Sequence, residues 1–297
     1  MKSRELTTER RNRATESLDT MTALEVVEAM NREDAAVPRA IKRVLPAVAK
    51  TVDIIANCLA NGGRLIYVGS GTSGRIGALD ASECPPTFNT SPDMVQYLIA
   101  GGDMALTQSA EGSEDSAELG RSDMEGKNPT SLDVVVGLAA SGCTPYTISA
   151  LEYARSRGAV TVAVACNRDS ALGSVADIPI EVEVGPEVLT GSSRLKAGTA
   201  QKQICNMLTT GAMARMGYVY SNLMVNLHLT NKKLLKRGIV ILESLTGVSQ
   251  NVASQVLENA DMSVPMALVM LKSNVTKPEA IERLQKSKGN VRKAIEG

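Results

Sequence analysis

Residues 64–86 read RLIYVGSGTSGRIGALDASECPP, and the order of residue types in this stretch decides the fold. A β-rich run at 64–68 gives way to glycine and small hydroxyl residues, then to a helix-forming segment. Gly69, Gly71 and Gly74 satisfy G-x-G-x-x-G where a strand should turn into a helix. The pattern alone is weakly specific. A dinucleotide site also wants an acidic residue about 20 positions on, at the end of the second strand, and the first acid beyond the next β-rich run, Asp103, lies farther away. A nucleotide P-loop is excluded, since Gly74 is followed by Arg75 and not by Lys-Ser/Thr. The informative feature is the set Ser70, Gly71, Thr72 and Ser73, which puts hydroxyl donors beside backbone N–H groups at a helix N-terminus. Such an end carries partial positive charge and cradles a monophosphate without a lysine.

Working outward, β-rich runs at 64–68, 95–100, 133–138, 159–165 and 178–184 alternate with helical or Gly/Ser-rich stretches. Five such runs predict an α/β fold, a doubly wound five-stranded parallel sheet of flavodoxin-like type. Ligands of such sheets bind at the carboxyl ends of the strands, so the loops after the runs carry the functional expectation. The third run ends in VVVGLAASGCTPYT, where Ser141, Gly142 and Thr144 precede a helix opened by Pro145, with Thr144 expected at the N-cap. A third hydroxyl cluster, Thr190-Gly191-Ser192-Ser193, stands before Arg194 and Lys196 at the head of a long helical pattern, and Ser192, Ser193 and Lys196 are candidate substrate contacts. Two helices are expected over 22–61, stopped by Asn61-Gly62-Gly63, and a further helical pattern follows from about Leu223. The organisation read from these signals is 1–62 for N-terminal helices packing on the core, 63–240 for the α/β domain, and 241–297 for a small helical C-terminal domain.

Composition removes several function classes. Thirty-two basic side chains balance 32 acidic ones, and with no Trp, one Phe and 6 Tyr there is neither a basic stripe nor a stacking surface for nucleic acid. The five cysteines contain no CxxC pair, which argues against a disulfide framework and a zinc site and for a reducing cytoplasm. The polar start MKSRELTTERRNRA has no apolar stretch behind it, and no apolar run approaches the ~20 residues of a membrane span. With a single histidine, His228, expected on an apolar helix in a structural role, carboxylates are left to move protons, with no metal and no cofactor. Cys84 is expected to be a small packed thiol.

The segments GSGTSGRIGALDASECPPTF, AEGSEDS, AASGCTPY and TGSSRLKAGTAQK closely resemble the N-acetylmuramic acid 6-phosphate etherase family, built on the sugar isomerase (SIS) phosphosugar-binding fold, and the resemblance extends over nearly the whole chain. It implies catalytic glutamates at Glu83 and Glu114, phosphate binding by the two hydroxyl-rich loops, a homodimer, no metal, and a small UBA-like helical domain at the C-terminus. The implied reaction is cleavage of the D-lactyl ether of a phosphorylated amino sugar by water. Asp80, Glu111 and Asp115 are the acidic neighbours not assigned to catalysis. Departures are Cys143 where the family has Arg, Asn89 where PPT is followed by Tyr-Gly, and Asn226 and Lys232 where it more often has Asp and Glu. A non-catalytic phosphosugar sensor and a sugar-phosphate isomerase on the same fold are the alternative readings; the presence of both glutamates favours an enzyme over the sensor, and lactate release separates the etherase from the isomerase.

Overall fold

The computed structural model describes residues 6–108, 110–229 and 231–297. The chain forms two compact units, one made of Met1–Ala81 and Asp93–Thr209, the other of Ser82–Pro92 and Thr210–Gly297.

In the first unit, helices α1 (Ala23–Asp34) and α2 (Ala36–Ala60) lead into the sheet, matching the two leading helices expected. Thr22 and Glu25 form a capping box that starts α1, and Gly62, at φ +82°, follows the end of α2. The chain then runs β1 (Leu65–Gly69), α3 (Gly71–Phe88), β2 (Val95–Ile99), α4 (Ala117–Gly126), β3 (Val134–Ala139), α5 (Pro145–Ser156), β4 (Val160–Ala165), α6 (Ala171–Val175), β5 (Ile178–Glu181) and α7 (Lys196–Met216). Each strand falls on one of the five expected β-rich runs. All four pairings are parallel, in the order β2-β1-β3-β4-β5. The order reverses at β1, which lies between β2 and β3, and this is the switch point at which such sheets bind ligands. Every residue of β1 and β3 is buried, as expected of central strands covered on both faces.

The two edges of the sheet differ chemically. At the amino ends, Asp133 accepts from the Arg64 backbone N–H at 2.8 Å, from its guanidinium at 3.1 and 2.8 Å, and from the Thr130 N–H at 2.8 Å. Asp177 likewise accepts from the N–H and hydroxyl of Thr161 and pairs with Arg155. These acids are saturated by internal partners and lock neighbouring strand starts together. The carboxyl ends carry the hydroxyl-rich loops.

The second unit contains α8 (Lys232–Thr246), α9 (Gln250–Asn259), α10 (Val264–Ser273), α11 (Lys277–Lys286) and α12 (Val291–Glu296). Asn231, Ser249, Ser263 and Asn290 side chains accept backbone N–H bonds at the starts of α8, α9, α10 and α12, and Thr276 forms a capping box on α11. The core is made of small and branched side chains such as Leu242, Ala253, Leu257, Val264, Leu268 and Val291. The helix expected from about Leu223 is absent: Tyr220 and Leu223 form an isolated antiparallel bridge, and His228 is exposed in irregular chain rather than on an apolar helix. The physical reason is the period. Val225 and Leu227 are buried while Asn226 is half-buried and His228 exposed, an alternation of two that suits extended chain, and regular helix resumes only at the Asn231 cap.

Burial on its own pushes the Asp133 carboxyl up, but the hydrogen bonds from Arg64 and Thr130 outweigh it and hold its pKa below the ordinary carboxylate range. A carboxylate with a depressed folded-state pKa stabilises above its unfolded value of about 3.9, and that contribution fades as pH falls through the folded value. Asp133→Asn is therefore expected to lose roughly 2 kcal/mol near neutrality. The gap from wild type should narrow below about pH 4, as read by urea unfolding across pH 3 to 7. A constant gap over that range would refute the assignment.

Candidate active site

The turn from β1 into α3 is shaped by glycine. A Cβ on Gly74 would lie 2.6 Å from Ile99 Cγ1 and 2.7 Å from Gly69 O, and one on Gly77 would lie 2.8 Å from Tyr67 Cβ. The G-x-G-x-x-G pattern thus lets the helix approach the strands. The first helical bond runs from the Gly74 N–H to Ser70 O at 3.1 Å, so the N–H groups of Gly71, Thr72 and Ser73 have no carbonyl behind them in the helix. Ser70 is only 9% exposed, yet its hydroxyl has no hydrogen-bond partner. Ser73, also buried, donates from Oγ to Oε1 of Gln201 at 2.9 Å.

The second loop leaves the adjacent strand at matching height, since Gly69 pairs with Leu138 across the sheet. Gly142 has φ +75°, and a Cβ there would lie 2.4 Å from the Ser170 Cβ, so no other residue fits. Ser141 Oγ accepts from the Cys143 N–H at 3.2 Å. Thr144 stands at the N-cap and Pro145 opens the helix, as the sequence reading expects, but the Thr144 hydroxyl makes no capping bond. The Tyr146 N–H, one residue inside α5, donates to the backbone carbonyl of Glu114 at 3.1 Å. Just beyond, α4 presses so closely on α5 that a Cβ on Gly120 would lie 2.0 Å from Tyr146 O. Glu114 is thereby brought to the loop that holds Ser141, Gly142 and Thr144, with its carboxylate exposed.

Sequence reasoning missed Asn167. Its buried amide donates to the carbonyls of Ala140 and Ser141 at 3.2 and 3.1 Å, and to Thr8 Oγ1 at 3.1 Å, while its oxygen accepts from the N–H and hydroxyl of Thr7. It joins the second loop to the N-terminal segment, which Asn12 and Thr15 pin further along to the carbonyls of Pro186 and Val188. A lone Asn in a polar stretch gives no sequence signal of such a role.

At the third cluster, Ser192 and Ser193 are half-buried, and Ser193 O accepts the Gly198 N–H. The head of α7 is capped by a residue that sequence reading overlooked, Glu187, which accepts from the N–H groups of Lys196 and Ala197 at 3.1 and 2.9 Å. Burial pushes the Glu187 carboxyl up, and those two N–H bonds oppose it. Lys196 is 2% exposed and its ammonium is ion-paired with Glu33, so meeting a ligand would require it to release that partner.

Glu83 is exposed on α3, ahead of Pro85 and Pro86, which lie within the helix. Asn89, in the place of the family's glycine, adopts φ +54° and donates its N–H to Pro85 O, closing the helix in a left-handed conformation that Asn tolerates. Among the neighbouring acids, Asp80 is structural: buried, it accepts from Tyr67 Oη at 2.8 Å, Asn206 Nδ2 at 2.6 Å and Thr209 Oγ1 at 3.3 Å. Burial raises its pKa against those three donors. Asp115 is exposed, the Glu111 side chain lies outside the described residues, and Cys84 is buried. Chemically, the first two loops form a neutral array of N–H and O–H donors suited to an oxyanion, with an exposed carboxylate fastened beside the second.

The sequence is similar to known families and proteins. The SIS domain family model matches residues 118–211, and that of the glucokinase regulatory protein N-terminal SIS domain matches residues 47–155. N-acetylmuramic acid 6-phosphate etherase 2 of Lactiplantibacillus plantarum is 53% identical over 98% of both chains. The N-acetylmuramic acid 6-phosphate etherase of Clostridium beijerinckii is 49% identical over 98% of this chain and 96% of its own, and that of Oenococcus oeni is 50% identical over 98% of each.

The partnerless hydroxyl of Ser70 makes a test that separates binding from folding. Removing a buried, unsatisfied polar group does not destabilise, so Ser70→Ala should unfold at the same or a higher urea concentration than wild type. Its protection against thermal unfolding by inorganic phosphate should fall by about tenfold in apparent affinity, equivalent to the roughly 1.4 kcal/mol of one hydrogen bond to a charged group. Unchanged phosphate protection would remove Ser70 from the site.

Proposed function

The chain belongs to the N-acetylmuramic acid 6-phosphate etherase family, and on that footing we propose that it cleaves the D-lactyl ether of N-acetylmuramic acid 6-phosphate with water, giving N-acetylglucosamine 6-phosphate and D-lactate. The observation that carries the reading is the relation to etherases at about half identity over 98% of the chain. The donor array of the first two loops supports it by supplying a seat for the 6-phosphate, through Ser70, Gly71, Thr72, Ser73, Ser141, Gly142 and Thr144.

Direct displacement at a sugar C3 ether is slow, but in the open-chain form the aldehyde acidifies the C2 proton. The Glu114 carboxylate takes that proton, the C3–O bond breaks with a proton delivered by Glu83, and lactate leaves behind a C2=C3 double bond conjugated to the carbonyl. Glu83, now ionised, takes a proton from water as the hydroxyl adds to C3, and Glu114 returns its proton to C2. Protons and charge balance over the cycle, and two carboxyl groups suffice. Support for the Glu114 role comes from its backbone bond to Tyr146, which fixes it beside the second loop. Ser192, Ser193 and Lys196 are the candidates for contacts to the rest of the sugar. In this reading the protein is a carbon–oxygen lyase of the cytoplasm, acting in amino-sugar and cell-wall recycling. It works as a homodimer, and exposed Leu24, Val27, Leu79 and Leu189 offer apolar surface for that assembly. The match of residues 47–155 to a regulatory SIS domain favours a second reading, a phosphosugar sensor, which would bind the phosphate and release no lactate.

Glu83→Gln and Glu114→Gln should each bind the sugar phosphate and lose about 10²-fold or more in turnover, followed by a coupled assay for D-lactate. Near-normal turnover in either would remove that residue from the mechanism. Isotopes test the route itself: with the exposed Glu114 carboxyl exchanging its proton with solvent before C2 is reprotonated, product formed in D₂O should carry deuterium at C2, and ¹⁸O from water should appear on the C3 hydroxyl and not in lactate. Release of lactate with the C2 hydrogen fully retained would rule out a solvent-exchanging proton transfer through Glu114.

A further inference from the structure

One buried group near the first loop remains without an explanation. Gln201 lies on α7, is 1% exposed, and its Nε2 has no hydrogen-bond partner. Its Oε1 accepts the hydroxyl of Ser73, which belongs to the first turn of α3. The two ends of an amide interchange by a half-turn, but the donor count does not change. Ser73 and Gln201 bring three donor hydrogens between them, their mutual bond engages one, and two are left in either orientation. The hydroxyl of Ser70 adds a third, also buried and also without a partner. Buried donors in native proteins are paired, with protein, water or ligand, and a group of three is a specific exception. The partner they lack is an acceptor; Arg75, near the start of α3, gives its own donors to the carbonyls of Leu106 and Gln108 at 3.0 and 2.8 Å. The missing partner is therefore rich in acceptors and carries none of its own donors toward this wall, which describes the terminal oxygens of a phosphate dianion.

We propose that Gln201 is a binding residue of this site, donating from Nε2 to the phosphate group of the ligand while it holds the Ser73 hydroxyl in place. The inference rests on the reading of the β1–α3 turn as the phosphate seat, and it adds to that turn a residue from a different helix. In this arrangement Gln201 contributes to recognition of the phosphate and not to the proton transfers at C2 and C3.

Two substitutions separate the roles. Gln201→Glu keeps the size of the side chain and the oxygen that accepts from Ser73, and replaces the free NH₂ by a second carboxylate oxygen; a purely structural role survives it. Gln201→Met keeps the length and removes both functions. Dissociation constants for N-acetylglucosamine 6-phosphate and for N-acetylglucosamine are measured by calorimetry on the full chain, alongside KM and kcat for lactate release and the urea midpoint of each variant. Expected is a loss of about tenfold or more in affinity for the phosphorylated sugar in both variants, with KM rising in parallel and kcat changed little, the pattern for binding shared by ground and transition states. Affinity for the unphosphorylated sugar should stay the same. The loss in Gln201→Glu should deepen from pH 5 to pH 8 as its carboxyl ionises against the phosphate, whereas the ratio of Gln201→Met to wild type stays flat. Wild-type affinity in a folded Gln201→Glu would overturn the proposal and assign the free donors to buried water, leaving the phosphate seat standing. If wild type itself did not prefer the phosphorylated sugar, the seat would fall, and this inference with it.

Discussion

The absence of a side chain at Gly74 is the constraint from which the rest of the first unit follows. A single Cβ there meets both Ile99 of β2 and the carbonyl of Gly69 at less than 3 Å, so any other residue would push α3 off the sheet. With hydrogen in its place, the first turn of α3 lies against the ends of β1 and β2. Its free N–H groups then stand where the order of the strands reverses. The opposite edge answers this with saturation: Asp133 and Asp177 are each enclosed by several donors. One edge therefore holds its acids in closed internal networks and the other keeps donors in reserve, a division set by the backbone before any ligand is considered.

Much of this was legible in the sequence because it depends on short-range order. Each strand is a run of β-branched or aliphatic residues, each loop at the site is a glycine flanked by hydroxyls, and both signals lie within a few residues of one another. The parts that were not legible depend on long-range meetings. Gln201 bonds a serine 128 positions away, and nothing in a helical AGTAQK marks it as different from a surface glutamine. Asn167 collects carbonyls and hydroxyls from the second loop and the N-terminal segment, and Glu187 caps a helix that begins nine residues later. The stretch 223–229 misled for another reason: its apolar residues fit both a period of two and a loose helical period, and burial of Val225 and Leu227 decided for the first.

Recognition by neutral donors also shapes how a ligand is held. A lysine attracts any anion over a distance comparable to the Debye length, whereas hydroxyl and amide donors act only at contact and only along their bonds. A site of this kind discriminates by shape and donor count. Arg75 gives its donors to backbone carbonyls and Lys196 pairs with Glu33, so neither directs its donors into the turn.

The N-terminal segment adds an order of events. Thr7, Asn12 and Thr15 leave a ribosome well before the groups that hold them, which lie 160, 174 and 173 positions downstream. Closing loops of that length is slow relative to forming local structure, and synthesis proceeds at about 5–20 residues per second. During the ~10 seconds or more that separate them, the beginning of the chain waits without its partners while α1, α2 and the first strands assemble. The carbonyls of Ala140 and Ser141 acquire their Asn167 donor only in that same late phase. The partners of the N-terminal segment and of the second loop thus come from one later stretch, 167–188, and a nascent chain carries an unfinished anion seat until Asn167 has been built.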